Sequence, residues 1–388
     1  MESTRLRAVQ SPMIPIVGQL VREHPGTISL GQGVVHFGPP AEVDDAVARF
    51  LREPSAHLYK AVEGIAELVE MFEQKLAAEN GVRVRVRPDS RVVVTAGGNM
   101  AFMNAVLAIA DPGDEIILLS PYYFNHEMAI TMAGCRPVIV PTNERFHPNM
   151  ESIRAAITPK TRAVVTISPN NPTGAVYPES ALRAISGLCR DAGIYYISDE
   201  AYEYFVYGDS RHFSPGSIDG AAQHTISLFS LSKAFGMASW RIGFMVIPED
   251  LMSATRKIQD TILICPPVVS QRAGVAAMGV GRQHCNQHLT GIASVREMLL
   301  NELDSVRNRC TPAPADGAFY VLLKVHTKLG ALELVESLIR QHGVAVLPGS
   351  TFGLNDGCHL RIAYAALKRD TAAEAISRLV RGLRELSV

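Results

Sequence analysis

Lys233 stands among Ser230, Ser232 and Arg241 in the stretch FSLSKAFGMASWRIG. A lysine in isolation reads as a solvated surface group. An amine held among hydroxyls and a guanidinium, with a carboxylate nearby, suits covalent capture of a carbonyl, its pKa lowered by burial and neighbouring positive charge. Three other stretches could serve such an amine. Asp199, in IYYISDEAYEYF, follows an apolar run, and a carboxylate at the bottom of a buried site needs a cationic partner to stay ionised; a helix N-cap is the alternative reading. Gly97 and Gly98 precede the helical NMAFMNAV, and free amides at a helix N-terminus bind phosphate. Alone, such a turn is more often a plain connection. The third stretch is ISPNNPTGAVYP (Ile167 to Pro178).

The elements that must position these groups are legible from periodicity. Seven β-branched or apolar runs read as strands of one sheet: Arg91 to Thr95, Glu115 to Leu119, Arg136 to Val140, Arg162 to Ile167, Ile194 to Ile197, His224 to Phe229 and Arg241 to Val246. Most are apolar on both faces, as buried parallel strands are. Segments such as Asn99 to Ala110 and Glu179 to Asp191 suit crossover helices, and DPGDEI (Asp111 to Ile116) punctuates one return. The alternation predicts an α/β fold. All four chemical stretches follow strand ends, where open α/β sheets place their ligands, so position alone groups them into one site. From about His284 the pattern changes to a long polar helix, a strand within Ala318 to Val325, a helix over Ala331 to His342 and a terminal helix after Arg369. We therefore expect a large domain over residues 47–285 and a smaller one from residues 286–388 together with 1–46.

Composition narrows the partners. The 388 residues are 47% hydrophobic and 19% charged, enough for two cores, and 37 basic against 38 acidic residues leave a formal charge of -1. Such a balance gives no field for nucleic acid or an acidic membrane, so a small molecule is the expected ligand. The six cysteines are scattered without a CxxC pair, as reduced thiols of a cytoplasmic protein would be. Neither a signal-peptide pattern nor a run of about 20 apolar residues is present.

The set NNPTG, SDEAY, SLSKAFG with WRIG, GVAVLPGSTFG (Gly343 to Gly353) and HLRIAYA (His359 to Ala365) occurs in one order along the chain. It resembles the class I/II aminotransferases of fold type I, relatives of aspartate aminotransferase, from about Ile28 to Tyr364. That resemblance implies pyridoxal 5'-phosphate as cofactor, a mostly parallel seven-stranded sheet between helices in the large domain, and a smaller α+β domain. It implies that Lys233 forms the Schiff base and acts as general base, while Asp199 keeps the pyridine nitrogen protonated so that the ring accepts electrons. Asn171 and Tyr202 would hydrogen-bond the cofactor's phenolic oxygen, though a turn residue and a packing residue are their plainer readings. Gly98 and Asn99 would form the phosphate turn, with Ser230 and Arg241 adding a hydroxyl and a bidentate cation. Tyr123 would stack on the ring. Tyr59, five residues before Gly64, would reach the phosphate in a neighbouring subunit, which implies a homodimer. Arg361 would grip the substrate's α-carboxylate, with Gly33 and Asn171 also facing the substrate.

The implied reaction moves the amino group of an L-amino acid to a 2-oxo acid; elimination, replacement or cyclisation on an amino acid is the alternative, because all share the steps up to loss of the Cα proton. The chain departs from the family pattern where QGVVHFGPP keeps Gly33 and Phe37 but places His36 at the usual acidic position, and where Leu68-Val69 stands for a frequent Leu-Arg pair. Because the N-terminal segment helps close the site over substrate in the family the chain resembles, the first of these changes bears on the substrate more than on the cofactor. A ligand-sensing regulator would need a DNA-binding domain ahead of Ile28, for which this sequence leaves no room, and a nicotinamide enzyme would need a G-x-G-x-x-G turn that Gly97-Gly98 does not supply. No metal is expected: His284, Cys285 and His288 carry zinc-ligand residue types, but a polar surface helix is the better reading.

Overall fold

The computed structural model describes residues 3–86 and 90–386. After a two-residue strand β1 (Ile28–Ser29) come β2 (Ser90–Thr95), β3 (Glu115–Ser120), β4 (Arg136–Pro141), β5 (Thr161–Ile167), β6 (Tyr195–Asp199), β7 (Thr225–Ser230) and β8 (Gly243–Pro248). These last seven form one sheet in the order β2-β8-β7-β6-β5-β3-β4. Only β8 runs against its neighbours, pairing antiparallel with β2 and β7. The expected mostly parallel seven-stranded α/β sheet is therefore present, and each strand lies within a few residues of its expected bounds. Apart from the edge strand β4, of which Val140 alone is buried, the strands are buried almost throughout, and the helices at Gly98–Ile109 and Glu179–Ala192 return the chain between them.

Two core clusters flank this sheet. Phe102, Ala105, Val106 and Ile130 pack against Val93, Leu118 and Met245 on one side, and Leu182, Ile185 and Cys189 against Ile117 and Val164 on the other. Burying such side chains stabilises by roughly 1.5 to 3 kcal/mol each before the entropy of ordering is subtracted.

A second sheet comprises β9 (Cys310–Pro312), β10 (Tyr320–Val325), β12 (Leu347–Pro348) and β13 (Cys358–Ala363), in the order β12-β13-β10-β9. Between β10 and β12 a short strand β11 (Val344–Ala345) pairs in parallel with β1, Ile28 opposite Val344. The N-terminal segment is thus tied to the C-terminal part by backbone bonds, including Leu30 N to Ala345 O at 2.8 Å and Ala363 N to Leu30 O at 2.7 Å. The long helix Gln283–Asp304 runs unbroken through residue 286.

Candidate active site

Because β2, β3, β5, β6 and β7 point the same way, their C-terminal ends share one edge, and because β8 is reversed its N-terminal end joins them. A cavity of about 290 Å³ opens there. Its lining includes Gly98, Asn99, Tyr123, Asn171, Asp199, Tyr202, Ser230, Lys233 and Arg241, nine of the residues expected from sequence, together with Ile167, Ala201 and Ser232.

Lys233 does not lie in a loop, as its serine-rich surroundings suggest; it sits in the one-turn helix Leu231–Ala234, whose N-cap Ser230 accepts from Ser232 N at 3.1 Å. Its Nζ donates to Gly33 O at 2.6 Å, which brings Gly33 against the cavity. Burial, reinforced by the Arg361 and Arg241 charges and opposed by Asp199, brings the amine down to about 8. Nor does Arg241 open the next strand. It stands two residues before β8 in a left-handed conformation, φ 52°, donating to Ala238 O at 3.0 Å. A Cβ on Gly97, itself at φ +82°, would lie 2.3 Å from Arg241 Nη2. Glycine here lets the guanidinium lie against the turn that starts helix Gly98–Ile109, a terminus with no side-chain cap. Free amides and a cation at one end of the cavity make an anion site.

Asp199, the last residue of β6, accepts from Ala201 N at 3.1 Å, and its Oδ2 lies 3.2 Å from His126 Nε2. His126 is buried and stacks on Phe102 with ring centres 3.8 Å apart. The two asparagines of NNPTG divide their duties. Asn170 holds the turn, accepting from Thr173 N at 3.1 Å. Asn171 faces the site, its Nδ2 donating to Tyr202 Oη at 3.3 Å and its Oδ1 accepting from Arg361 Nη1 at 3.2 Å. Tyr202 and Tyr320 join through their hydroxyls at 2.9 Å. Burial pushes both phenols up, that of Tyr320 to about 12. Asn125 Nδ2 donates to Tyr123 Oη at 2.8 Å, and that hydroxyl donates to Asn99 Oδ1 at 3.4 Å, fixing the Tyr123 ring.

Arg361, on β13, is 2% exposed. Its Nη2 donates to Gly31 O at 2.6 Å, and its guanidinium lies 4.6 Å from the Tyr320 ring centre and 5.0 Å from that of Phe352. Its Nε has no partner, and both of its hydrogen-bond acceptors are neutral. A buried cation so placed leaves a donor free for an anion. Tyr59 is not brought into this cavity: it is 75% exposed and borders a separate apolar groove with Phe50, Leu51, Pro266 and Val268.

Sequence reasoning missed His126 and Tyr320. His126 follows Tyr123 within helix Phe124–Met132 and meets Asp199 only because β3 and β6 flank β5; no local pattern announces that. Tyr320 reads as one more core residue of a strand, although its hydroxyl reaches the Asn171–Tyr202 network. Among the described residues no group of three or more His, Cys, Asp or Glu side chains could hold a metal ion, and Cys285 is buried in the core.

A lysine, a carboxylate and two arginines gathered at the carboxyl edge of a mostly parallel sheet, with a second sheet supplying one of the arginines, define an α/β enzyme of the fold type I kind. The family model for aminotransferase class I and II matches residues 25–379, and the chain belongs to that family, whose members depend on pyridoxal phosphate. It is 35% identical to a probable aspartate/prephenate aminotransferase of Thermus aquaticus, over 94% of each protein. With an aromatic aminotransferase of Arabidopsis thaliana it shares 32% over its whole length and 97% of that protein. A solved aspartate aminotransferase of Thermus thermophilus, a double mutant, superposes with a TM-score of 0.90 at 33% identity, covering 98% of this chain and 99% of that one. The chain is a pyridoxal-phosphate-dependent aminotransferase.

Proposed function

We propose that this aminotransferase moves the amino group of an L-amino acid to a 2-oxo acid with Lys233 as the reactive amine. The observation that carries the reading is the buried Lys233 amine, brought down to about 8, in one cavity with Asp199 and with the Gly98–Arg241 anion site. A phosphorylated pyridine aldehyde fits that donor set: amine for aldehyde, carboxylate for ring nitrogen, amides and guanidinium for phosphate. When bound, it supplies an aldehyde and an electron-accepting ring.

The chain's own residues do the rest. Lys233 would hold the aldehyde and, once freed by substrate, would take and return the Cα proton, a role that suits an amine brought down to about 8. Asp199, with His126 behind it, holds a proton on the ring nitrogen. Asn171 and Tyr202 would hydrogen-bond the phenolic oxygen, Tyr123 would cover the ring face, and Gly98, Asn99, Ser230 and Arg241 would hold the phosphate. Arg361 receives the α-carboxylate and sets the Cα–H bond toward Lys233; Gly33 and Asn171 border the substrate. Transamination is favoured over elimination because the relatives named above are aminotransferases.

We also propose a homodimer in which Tyr59 reaches the partner's phosphate site; its exposure beside an apolar groove supports this. Residues 47–285 would form the cofactor-binding domain and 286–388 with 1–46 the smaller one, a division supported by the Ile28–Val344 pairing. No helix among the described residues is long and apolar enough to cross a membrane, and six unpaired cysteines suit the cytoplasm.

The test is borohydride reduction of the yellow holoenzyme followed by peptide mapping. A cofactor adduct on Lys233 supports the assignment, and its appearance on another lysine refutes it. Single half-reactions with aspartate and with aromatic amino acids, followed by absorbance and keto-acid release, identify the donor.

A further inference from the structure

The segment from Gly33 to Gly38 touches the reactive lysine and is fastened by histidines that the reaction does not use. At one end Gly33 O accepts from Lys233 Nζ at 2.6 Å. At the other, Gly236, three residues past the lysine, lies so close that a Cβ there would be 2.5 Å from Phe37 O; its φ of +64° also favours glycine. His36 Nδ1 donates to Ala365 O at 3.2 Å. The Phe37 ring stacks on His288 with centres 3.9 Å apart and planes within 8°. His284, one turn before His288 on the same helix face, donates from Nε2 to Gly38 O at 3.0 Å and meets the edge of Phe37 at 5.4 Å. The rings of His36 and His288 are 6.0 Å apart, those of His284 and His288 5.4 Å.

We propose that His36, His284 and His288 form a latch that holds the Gly33–Gly38 segment over Lys233 and releases it when acidification charges His284 and His288. The hydrogen bonds suit neutral rings: with Nε2–H of His284 on Gly38, its Nδ1 is free to accept from Gln287 Nε2 at 3.3 Å. A proton on that nitrogen would break the second bond. The Phe37 face by itself favours a cation on His288, but a second proton on either neighbour sets like charges about 6 Å apart in a partly desolvated cluster. His288 is held below the ordinary histidine value by burial, then by His284 and His36. His284 is lowered by burial, against its bond to Gly38 and the charge of Glu42 on the adjoining helix. Because the closed arrangement depresses these values, its advantage is complete above about pH 6.5. It is lost as pH falls from there through the closed-state values, since the open segment binds protons more readily.

Hydrogen exchange of the holoenzyme tests this without reference to turnover. Protection of amides 28–38, of which Ile28 and Leu30 donate to Gly343 O and Ala345 O, corrected for the chemical exchange rate, is compared at about pH 8 and about pH 5.5, a span that brackets histidine titration. The wild type should lose protection severalfold at the lower pH, because the open segment takes up protons that the closed one resists. The double variant His36→Gln, His288→Phe keeps a donor for Ala365 and a flat ring against Phe37 but cannot charge there; with His284 alone left to titrate, it should lose less protection than the wild type. Wild-type protection that does not change, or the same loss in the double variant, overturns the latch. Should His288→Phe fail to fold, His36→Gln alone must reduce the loss, since His36 is on the surface. The latch's bearing on the active site rests on Lys233 being the reactive amine; a missing borohydride adduct would refute that assignment while leaving the exchange result standing.

Discussion

Replacing Arg361 with methionine separates a substrate-binding cation from a structural one. The side chain is 2% exposed, its hydrogen-bond acceptors are the neutral Gly31 O and Asn171 Oδ1, and its Nε is unpartnered. Burial itself works against its charge. In the free enzyme the cost of that desolvated guanidinium is offset by two hydrogen bonds of roughly 1.5 to 3 kcal/mol each and two aromatic faces of about 1 kcal/mol each. Methionine, of similar length, loses both sides of this balance, so the unfolding free energy should change by no more than about 2 kcal/mol either way. The bound substrate has no such cancellation. Losing a desolvated carboxylate contact costs roughly 2 to 5 kcal/mol, or about 30- to 5000-fold in kcat/KM, and the loss should be equal for every amino acid and 2-oxo acid because all carry that carboxylate. Denaturant melts and steady-state kinetics on three chemically different donors are sufficient. A loss confined to one donor would show that Arg361 reads a side chain; a stability loss well above 2 kcal/mol would show that it holds the fold.

Capture of pyridoxal phosphate by the apoenzyme should accelerate as Lys233 deprotonates, with a midpoint near the value of about 8, and a midpoint near the ordinary lysine value would contradict the burial argument. Its amine is depressed relative to the unfolded chain, so below pH 8 the fold bears a proton-binding penalty, and Lys233→Met should raise the apoenzyme's melting temperature at neutral pH while abolishing the yellow colour. His126→Phe keeps the stack on Phe102 but removes the 3.2 Å contact to Asp199; turnover should fall roughly 10- to 100-fold, the worth of one hydrogen bond to a charged group, and His126→Gln should recover part of it. Glu203→Ala removes the bond that Lys75 Nζ donates to Glu203 Oε1 at 2.6 Å but leaves it Asn80 Oδ1 at 2.6 Å and Glu79 at 4.0 Å; urea melts should show a loss of about 1 to 3 kcal/mol, with kcat unchanged at low temperature.

What could be read in advance, and what could not, follows from how far each signal travels along the chain. The strands were legible because burial on both faces writes a continuous apolar run, and Lys233, Asp199 and the Gly97–Gly98 turn because each follows such a run directly. The same run is silent about direction: β8 is as apolar as its neighbours, and its reversal appears only in the pairing with β2 and β7. That reversal explains why Arg241, ahead of its strand, reaches an edge that the groups on the other strands of this sheet reach from behind, and why it needs a left-handed residue to turn there. Ser230 was legible as a site residue but not as the cap that converts a loop into a helical turn under Lys233. His126 and Tyr320 lay beyond local reading altogether, since one joins Asp199 across an intervening strand and the other crosses from the second sheet to Tyr202. The groups that react are thus marked by their own neighbours in sequence, whereas those that tune them are marked by their neighbours in space, and for the second kind only the pairing order of the sheets carries the information.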